Sequence, residues 1–135
     1  MDRLFLDADV LFSAASKADS GLLQFWKFKD VVLCSSRYAV EEARINLGDE
    51  VQRKRLNKLS ESIHLFEAGP RKPPRGISLA EKDMPILLAA IEARATHLVT
   101  GDIRHFGPYF GQKIEGTTIA LPGEYLRGRS RVERD

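Results

Sequence analysis

The sequence predicts an α/β domain built on a mainly parallel sheet, and three observations carry that expectation. Leu98-Val99-Thr100-Gly101-Asp102 is an apolar run that turns on a glycine and delivers a carboxylate. A buried parallel strand presents an acid in this way at its C-terminal edge, where open α/β sheets place their ligand sites. Near the other end of the chain, Leu4-Phe5-Leu6 leads into Asp7-Ala8-Asp9 by the same grammar. Between the two, strand-like and helix-like patterns alternate, as they do when crossover helices join parallel strands.

Taken in order, Arg3 to Leu6 reads as a first strand. The small and apolar residues from Val10 to Ser16 suit a short helix on the sheet. Asp19 and Ser20 are N-cap types, and Leu22, Leu23, Phe25 and Trp26 would give the next helix one apolar face. Val31 to Cys34 is a second strand. A serine at 35 or 36 caps a helix whose Val40, Ala43 and Leu47 share a buried face, with Gly48 as its stop. Asp49 caps a further helix, to about Ser62, with Glu50 in its first turn. Its other face is basic, with Arg53, Lys54, Arg55 and Lys58, either a solvated face or a track for phosphates.

Ile63 to Phe66 reads as a third strand. Gly69 to Gly76, with three prolines among eight residues, is a loop. Asp83, with Pro85 close behind, reads as the N-cap of the strongest helix, where proline's missing N–H does no harm. His97 to Thr100 is a fourth strand and Thr117 to Leu121 a fifth. A last helical turn is expected over 122–126.

A chain of 135 residues suits one domain with a real core, placed at 1–126. The last nine residues, 127–135, hold four arginines and two acids and so account for the whole formal charge of +2. This basic tail is either a solvated end or a contact for a polyanion. The lone cysteine, Cys34, follows an apolar run and reads as a buried thiol; a single cysteine makes no internal disulfide, which suits a reducing compartment. No apolar run approaches the ~20 residues of a membrane span, and the start lacks a signal peptide's pattern. The expectation is a cytoplasmic protein.

Asp7 and Asp102 follow strands and should share one sheet edge. Asp83 joins them if its helix starts there. Grouped carboxylates raise one another's pKa, and proteins that gather them neutralise them with a hard cation. Oxygen ligands select Mg²⁺ or Mn²⁺, which lower the pKa of bound water and stabilise charge on a reacting phosphate. Acids with a basic rim therefore suit metal-assisted phosphodiester hydrolysis. Each acid also has a plainer reading. Asp83 is explained as a helix cap and Glu42 as a solvated helix position. Asp7 and Asp102 are harder to dismiss, because acids seldom follow apolar strands into a crowded edge without a partner.

These residues resemble the PIN-domain nucleases, which are metal-dependent ribonucleases. Phe5-Leu6-Asp7-Ala8-Asp9-Val10-Leu11 is similar to the family's first motif, Val40-Glu41-Glu42-Ala43-Arg44 to its helix-borne glutamate, and Asp83-Met84-Pro85-Ile86-Leu87-Leu88-Ala89-Ala90 to its third acidic motif. Leu98-Val99-Thr100-Gly101-Asp102 is similar to the fourth and is the most specific of them. The resemblance runs from Leu4 to about Leu126. It implies a three-layer α/β/α domain with a mainly parallel sheet of about five strands, and Asp7, Glu42, Asp83 and Asp102 around Mg²⁺ or Mn²⁺ as catalytic and metal-holding residues. Asp9 stands where the family more often has asparagine; it adds a fifth carboxylate or hydrogen-bonds nearby. Helical periodicity does not choose between Glu41 and Glu42, and the resemblance picks Glu42. Thr100 either bonds to the site or satisfies backbone. His105 either brings an imidazole to the phosphate or belongs to a surface loop.

A stand-alone domain of this length resembles the VapC-type toxins of bacterial toxin–antitoxin pairs. That resemblance implies an RNA substrate, a homodimer and a small antitoxin over the acidic groove. Two other classes compete. In a haloacid-dehalogenase-like phosphatase, Asp7 would be the nucleophile and Asp9 the acid–base, but the acid expected four residues after Asp102 falls on Phe106. A catalytically inactive PIN-like module would keep the fold and bind RNA or protein.

Overall fold

The computed structural model describes the backbone of residues 1–134 and side chains through residue 130. Strands β1 (Asp2–Leu6), β2 (Val31–Ser35), β3 (His64–Leu65), β4 (His97–Val99), β5 (Lys113–Ile114) and β6 (Thr117–Ala120) form one sheet in the order β3-β2-β1-β4-β6-β5. All neighbours are parallel except β5 and β6. The sheet thus has six strands where about five were expected. Helices are α1 (Ala8–Ser16), α2 (Arg37–Asn46), α3 (Glu50–Ser60), α4 (Met84–Glu92), α5 (Ile103–Phe106) and α6 (Pro122–Arg134). The helices α1, α2 and α3 pack on one another over the sheet, and α4 packs against β2 and β4. The result is a three-layer α/β/α domain.

The central position of β1 follows from its composition. Leu4, Phe5 and Leu6 are all fully buried, as an apolar run must be when helices cover both faces of its sheet. Leu6 pairs with Val99, and the Asp7 amide continues the ladder to the Val99 carbonyl at 3.0 Å. The chain winds outward from β1 through β2 to β3, then returns to add β4 on the other side. That reversal is a topological switch point, and it opens a crevice at the C-terminal ends of β1 and β4.

Local chemistry sets the helix ends. Ser36 caps α2 through the Ala39 amide, and Asp49 and Gln52 form a reciprocal capping box at α3. Three expectations are corrected. Gly21–Lys27 is a 3₁₀ segment rather than an α-helix; its Trp26 indole donates to the Leu59 carbonyl, so tertiary contacts set its shape. The last helix runs from Pro122 to Arg134, well past a single turn. Tyr125 anchors it by stacking on Phe25 and donating to Asp2 at 2.6 Å. Asp83 stands at the start of α4, but its side chain caps nothing.

The basic residues are also differently employed. Arg55 donates to the Ala15 carbonyl at 2.6 Å and Arg53 to the Leu47 carbonyl at 3.0 Å, tying α3 to α1 and to the end of α2. Of the tail arginines, Arg127 pairs with Glu124, while Arg129 pairs with Asp30 and lies over the Phe28 ring at 4.1 Å. The side chains of 131–135, the rest of that basic tail, lie outside the described residues. No helix among the described residues is long and apolar enough to cross a membrane.

Candidate metal centre

Asp7, Asp9, Glu42, Asp83 and Asp102 line one cleft of about 620 Å³ at the switch point, together with Phe12, Asn46, Lys82 and Gly101. Five elements position the acids. Asp7 follows β1 and caps α1, Asp9 lies in the first turn of α1, Glu42 faces inward from the middle of α2, and Asp102 follows β4. Asp83 arrives at the head of α4. Glu41 points the other way, exposed and paired with Arg44 at 3.5 Å, so the structure separates the two adjacent glutamates that periodicity could not.

Thr100 joins the first and last motifs. Its buried hydroxyl donates to Asp7 Oδ2 at 2.8 Å and accepts from the Asp102 amide at 3.1 Å. Asp9 reaches the same turn, where its Oδ2 accepts from the Gly101 amide at 2.7 Å. A Cβ at position 101 would lie 2.7 Å from that oxygen, which explains the glycine. Asp7 and Asp102 also have local work: Asp7 accepts from the Ala8 amide at 2.7 Å and Asp102 from the His105 amide at 3.1 Å. The two acids that looked least like helix caps are therefore the ones that cap.

Burial and crowding set the electrostatics. Burial, and then the charge of Asp9, push the Asp7 carboxyl up to about 7 against the pull of the Thr100 hydroxyl. Burial also raises Asp9, and it raises Asp83 against the opposing charges of His105 and Lys82. Asp102 goes the other way. Burial works to raise it, but hydrogen bonds from the His105 ring and amide hold it below the usual carboxylate range. The imidazole Nδ1 lies 2.7 Å from Asp102 Oδ2 and 3.5 Å from Asp83 Oδ2. His105 is thus part of the site rather than of a remote surface loop.

Asp83 Oδ2 is buried and has no hydrogen-bond partner among the described residues. A buried carboxylate oxygen left without a donor is costly, and a cation is the partner that would relieve it. Asp83, Asp102 and His105 each offer one ligand atom within 4.8 Å of the others. Asp7 and Glu42 line the same cleft but stand outside that tight group. The donor set is mostly carboxylate oxygen, which fits a hard divalent ion of the Mg²⁺ or Mn²⁺ kind.

Neither a family model nor a curated protein matches this chain. A solved structure of FitAB bound to an IR36 DNA fragment is similar in fold. The TM-score is 0.53 at 16% sequence identity, over 88% of this chain and 94% of that one. That likeness supports a PIN-like fold.

Three cleft residues carried no functional signal in the sequence. Phe12 belongs to an apolar run expected to pack on the sheet but is partly exposed at the cleft, and Asn46 and Lys82 belong to none of the motifs. Their common location follows only from how α1, α2 and α4 meet.

Proposed function

We propose that this chain is a metal-dependent endoribonuclease that hydrolyses RNA phosphodiester bonds, and that it acts as the toxin of a toxin–antitoxin pair. The observation that carries the reading is the buried Asp83 oxygen, which accepts no hydrogen bond and has the His105 ring at 3.5 Å, inside a cleft of converging carboxylates. Asp7, Glu42, Asp83 and Asp102 would hold Mg²⁺ or Mn²⁺. Such an ion, when bound, supplies an activated water and charge stabilisation at the phosphate.

The chain's own residues prepare the site. Thr100 fixes the Asp7 carboxylate from one side and the Asp102 backbone from the other. His105 holds Asp102 ionised and oriented. Asp9 pins the Gly101 turn that brings the two motifs together. Asp7, whose carboxyl burial lifts to about 7, would hold the ion in its deprotonated form. The sequence resemblance favours an antitoxin partner and a homodimer, and FitAB, similar in fold, is itself bound to a DNA fragment, which supports a nucleic-acid partner.

One observation favours a second reading. Asp7 and Asp102 both cap helices, so a PIN-like binding module would keep them for folding alone. The phosphatase reading finds no such support, because Phe106, where that family carries an acid, is fully buried in the core. Incubating a mixed RNA pool with the protein in Mg²⁺, Mn²⁺ or EDTA, beside Asp102→Asn, separates the first two. The nuclease reading expects cleavage that needs the metal and is lost in the variant. Folded protein that cuts nothing under any metal supports the module.

A further inference from the structure

A second cavity, of about 780 Å³, shares no lining residue with the acid cleft. It lies between α6 and β6, with the starts of β1 and β4 contributing Asp2 and His97. Phe110, Ile119 and Leu121 give it apolar walls. Its polar groups gather where Asp2, His97 and Tyr125 meet. The Tyr125 hydroxyl donates to Asp2 Oδ2 at 2.6 Å, and its ring lies edge to face with the His97 imidazole, centroids 5.0 Å apart. A neutral hydroxyl leaves the Asp2 charge in place. The cation in the cavity wall, Arg129, is turned to Asp30 at 2.5 Å.

The neighbours of His97 set its tautomer. The Thr96 hydroxyl donates its one hydrogen to the Arg3 carbonyl at 3.0 Å, so in the 2.9 Å contact with Nδ1 the ring N–H is the donor. Nε2 is left as an acceptor. Burial lowers the imidazole's pKa, which keeps the ring neutral. The polar end of the cavity therefore offers a carboxylate and a ring nitrogen, both acceptors, beside aromatic faces. Apolar cavities with a few convergent polar groups are the usual form of a small-molecule site.

Gly128 keeps the mouth of this cavity open. It stands inside α6, where glycine weakens a helix. Its backbone is not left-handed, and a Cβ there would meet nothing within 4 Å among the described residues. Neither backbone nor packing asks for a glycine, whereas a larger side chain would grow across the cavity it lines.

We propose that this cavity binds a small aromatic amine, with its ring against Phe110, Ile119 and Tyr125 and its N–H donors on Asp2 and His97. A protonated amine gains a charge-assisted hydrogen bond from the carboxylate and a cation–π contact from the tyrosine. The site goes beyond the ribonuclease reading and does not depend on it. Its test is an amide NMR titration of the full chain with tryptamine and with indoleacetate, which carries the opposite charge on the same ring. Tryptamine should shift the Gly111, Thr118 and Gly128 amides saturably and leave Gly101, in the acid cleft, in place. Indoleacetate should shift none of them. Asp2→Asn keeps an acceptor for Tyr125 and removes the charge, so tryptamine should bind on the order of tenfold more weakly. Gly128→Leu should abolish the shifts at Gly111 and Thr118. Thermal melts confirm folding, and Asp2→Asn carries the test if Gly128→Leu does not fold.

No shift at Gly111 and Thr118 with millimolar tryptamine would overturn the proposal. Shifts at Gly101 without shifts at those two amides would also overturn it, since the ammonium would then sit on the acid cleft. So would indoleacetate bound as tightly as tryptamine, wild-type affinity in Asp2→Asn, or wild-type affinity in a folded Gly128→Leu.

Discussion

The Asp9 carboxylate holds the Gly101 amide at 2.7 Å, across a separation of ninety-two residues. This contact ties the start of α1 to the turn after β4, and so fixes the distance between the first and last acidic motifs. Gly101→Ala would place a methyl 2.7 Å from Asp9 Oδ2 and break the contact. We expect a loss of about 1–3 kcal/mol, read by urea unfolding. Asp9→Asn keeps an acceptor oxygen and removes a buried charge, so it should be neutral or stabilising in ion-free buffer. Asp9→Ala should be destabilising. A loss in Asp9→Asn equal to that in Asp9→Ala would show that charge, not the hydrogen bond, matters.

The acid site should make ion-free stability depend on pH. Burial lifts the folded Asp7 carboxyl from its ordinary 3.8 to about 7. Folding therefore favours the protonated form. Its contribution is fully present below the unfolded value, falls as pH rises, and is gone above about 7. At about 1.4 kcal/mol per unit the span is on the order of 4 kcal/mol. Asp9 and Asp83, also raised, push the same way, while Asp102, lowered, opposes them. Melts in EDTA should show stability falling between pH 4 and 7, with a flatter profile in Asp7→Asn. Stability that instead rose through that window would contradict the electrostatics.

His105 should act on metal affinity without carrying the fold. Its ring touches both Asp102 and Asp83 while remaining partly exposed. Groups that orient a ligand in this way are worth about 10–100-fold in metal affinity. Calorimetry with Mn²⁺ should show that loss for His105→Ala, with an unchanged circular dichroism spectrum. Wild-type affinity would leave the imidazole a bystander.

Arg55 should matter to stability rather than to substrate. Its guanidinium donates to the Ala15 carbonyl at 2.6 Å, so Arg55→Gln is expected to cost about 1–2 kcal/mol. The salt slope of RNA binding should stay at the wild-type value. A slope reduced by about 0.7 would return the α3 face to the substrate.

The sequence made the centre of this fold readable because central parallel strands are buried on both faces and need unbroken apolar runs, as in Leu4-Phe5-Leu6. The periphery obeys weaker rules. Lys113–Ile114 is too short a strand to show periodicity. Its hairpin turn, with positive φ at Glu115 and Gly116, was signalled only by one glycine. Asp83 shows the limit of local reading: an acid before a proline-started helix looks like a cap, yet here the side chain turns into the cleft and caps nothing. Glu42 and Glu41 needed α2 to be docked before one of them faced the acids. His105 was ambiguous because its importance depends on a short helix, α5, that aims the ring back at Asp102.

Asp83→Asn shows whether the converging acids hold a catalytic metal. The substitution keeps the shape of a buried side chain that caps no helix, and it removes the charge of the carboxylate whose oxygen accepts no hydrogen bond. The measurement is the rate of RNA cleavage by wild type and variant across a Mn²⁺ titration, with a melt to confirm folding. We expect metal-dependent cleavage by the wild type, and a folded variant that fails to cleave at any Mn²⁺ concentration. A folded Asp83→Asn that cleaves at the wild-type rate with the same Mn²⁺ dependence would contradict it.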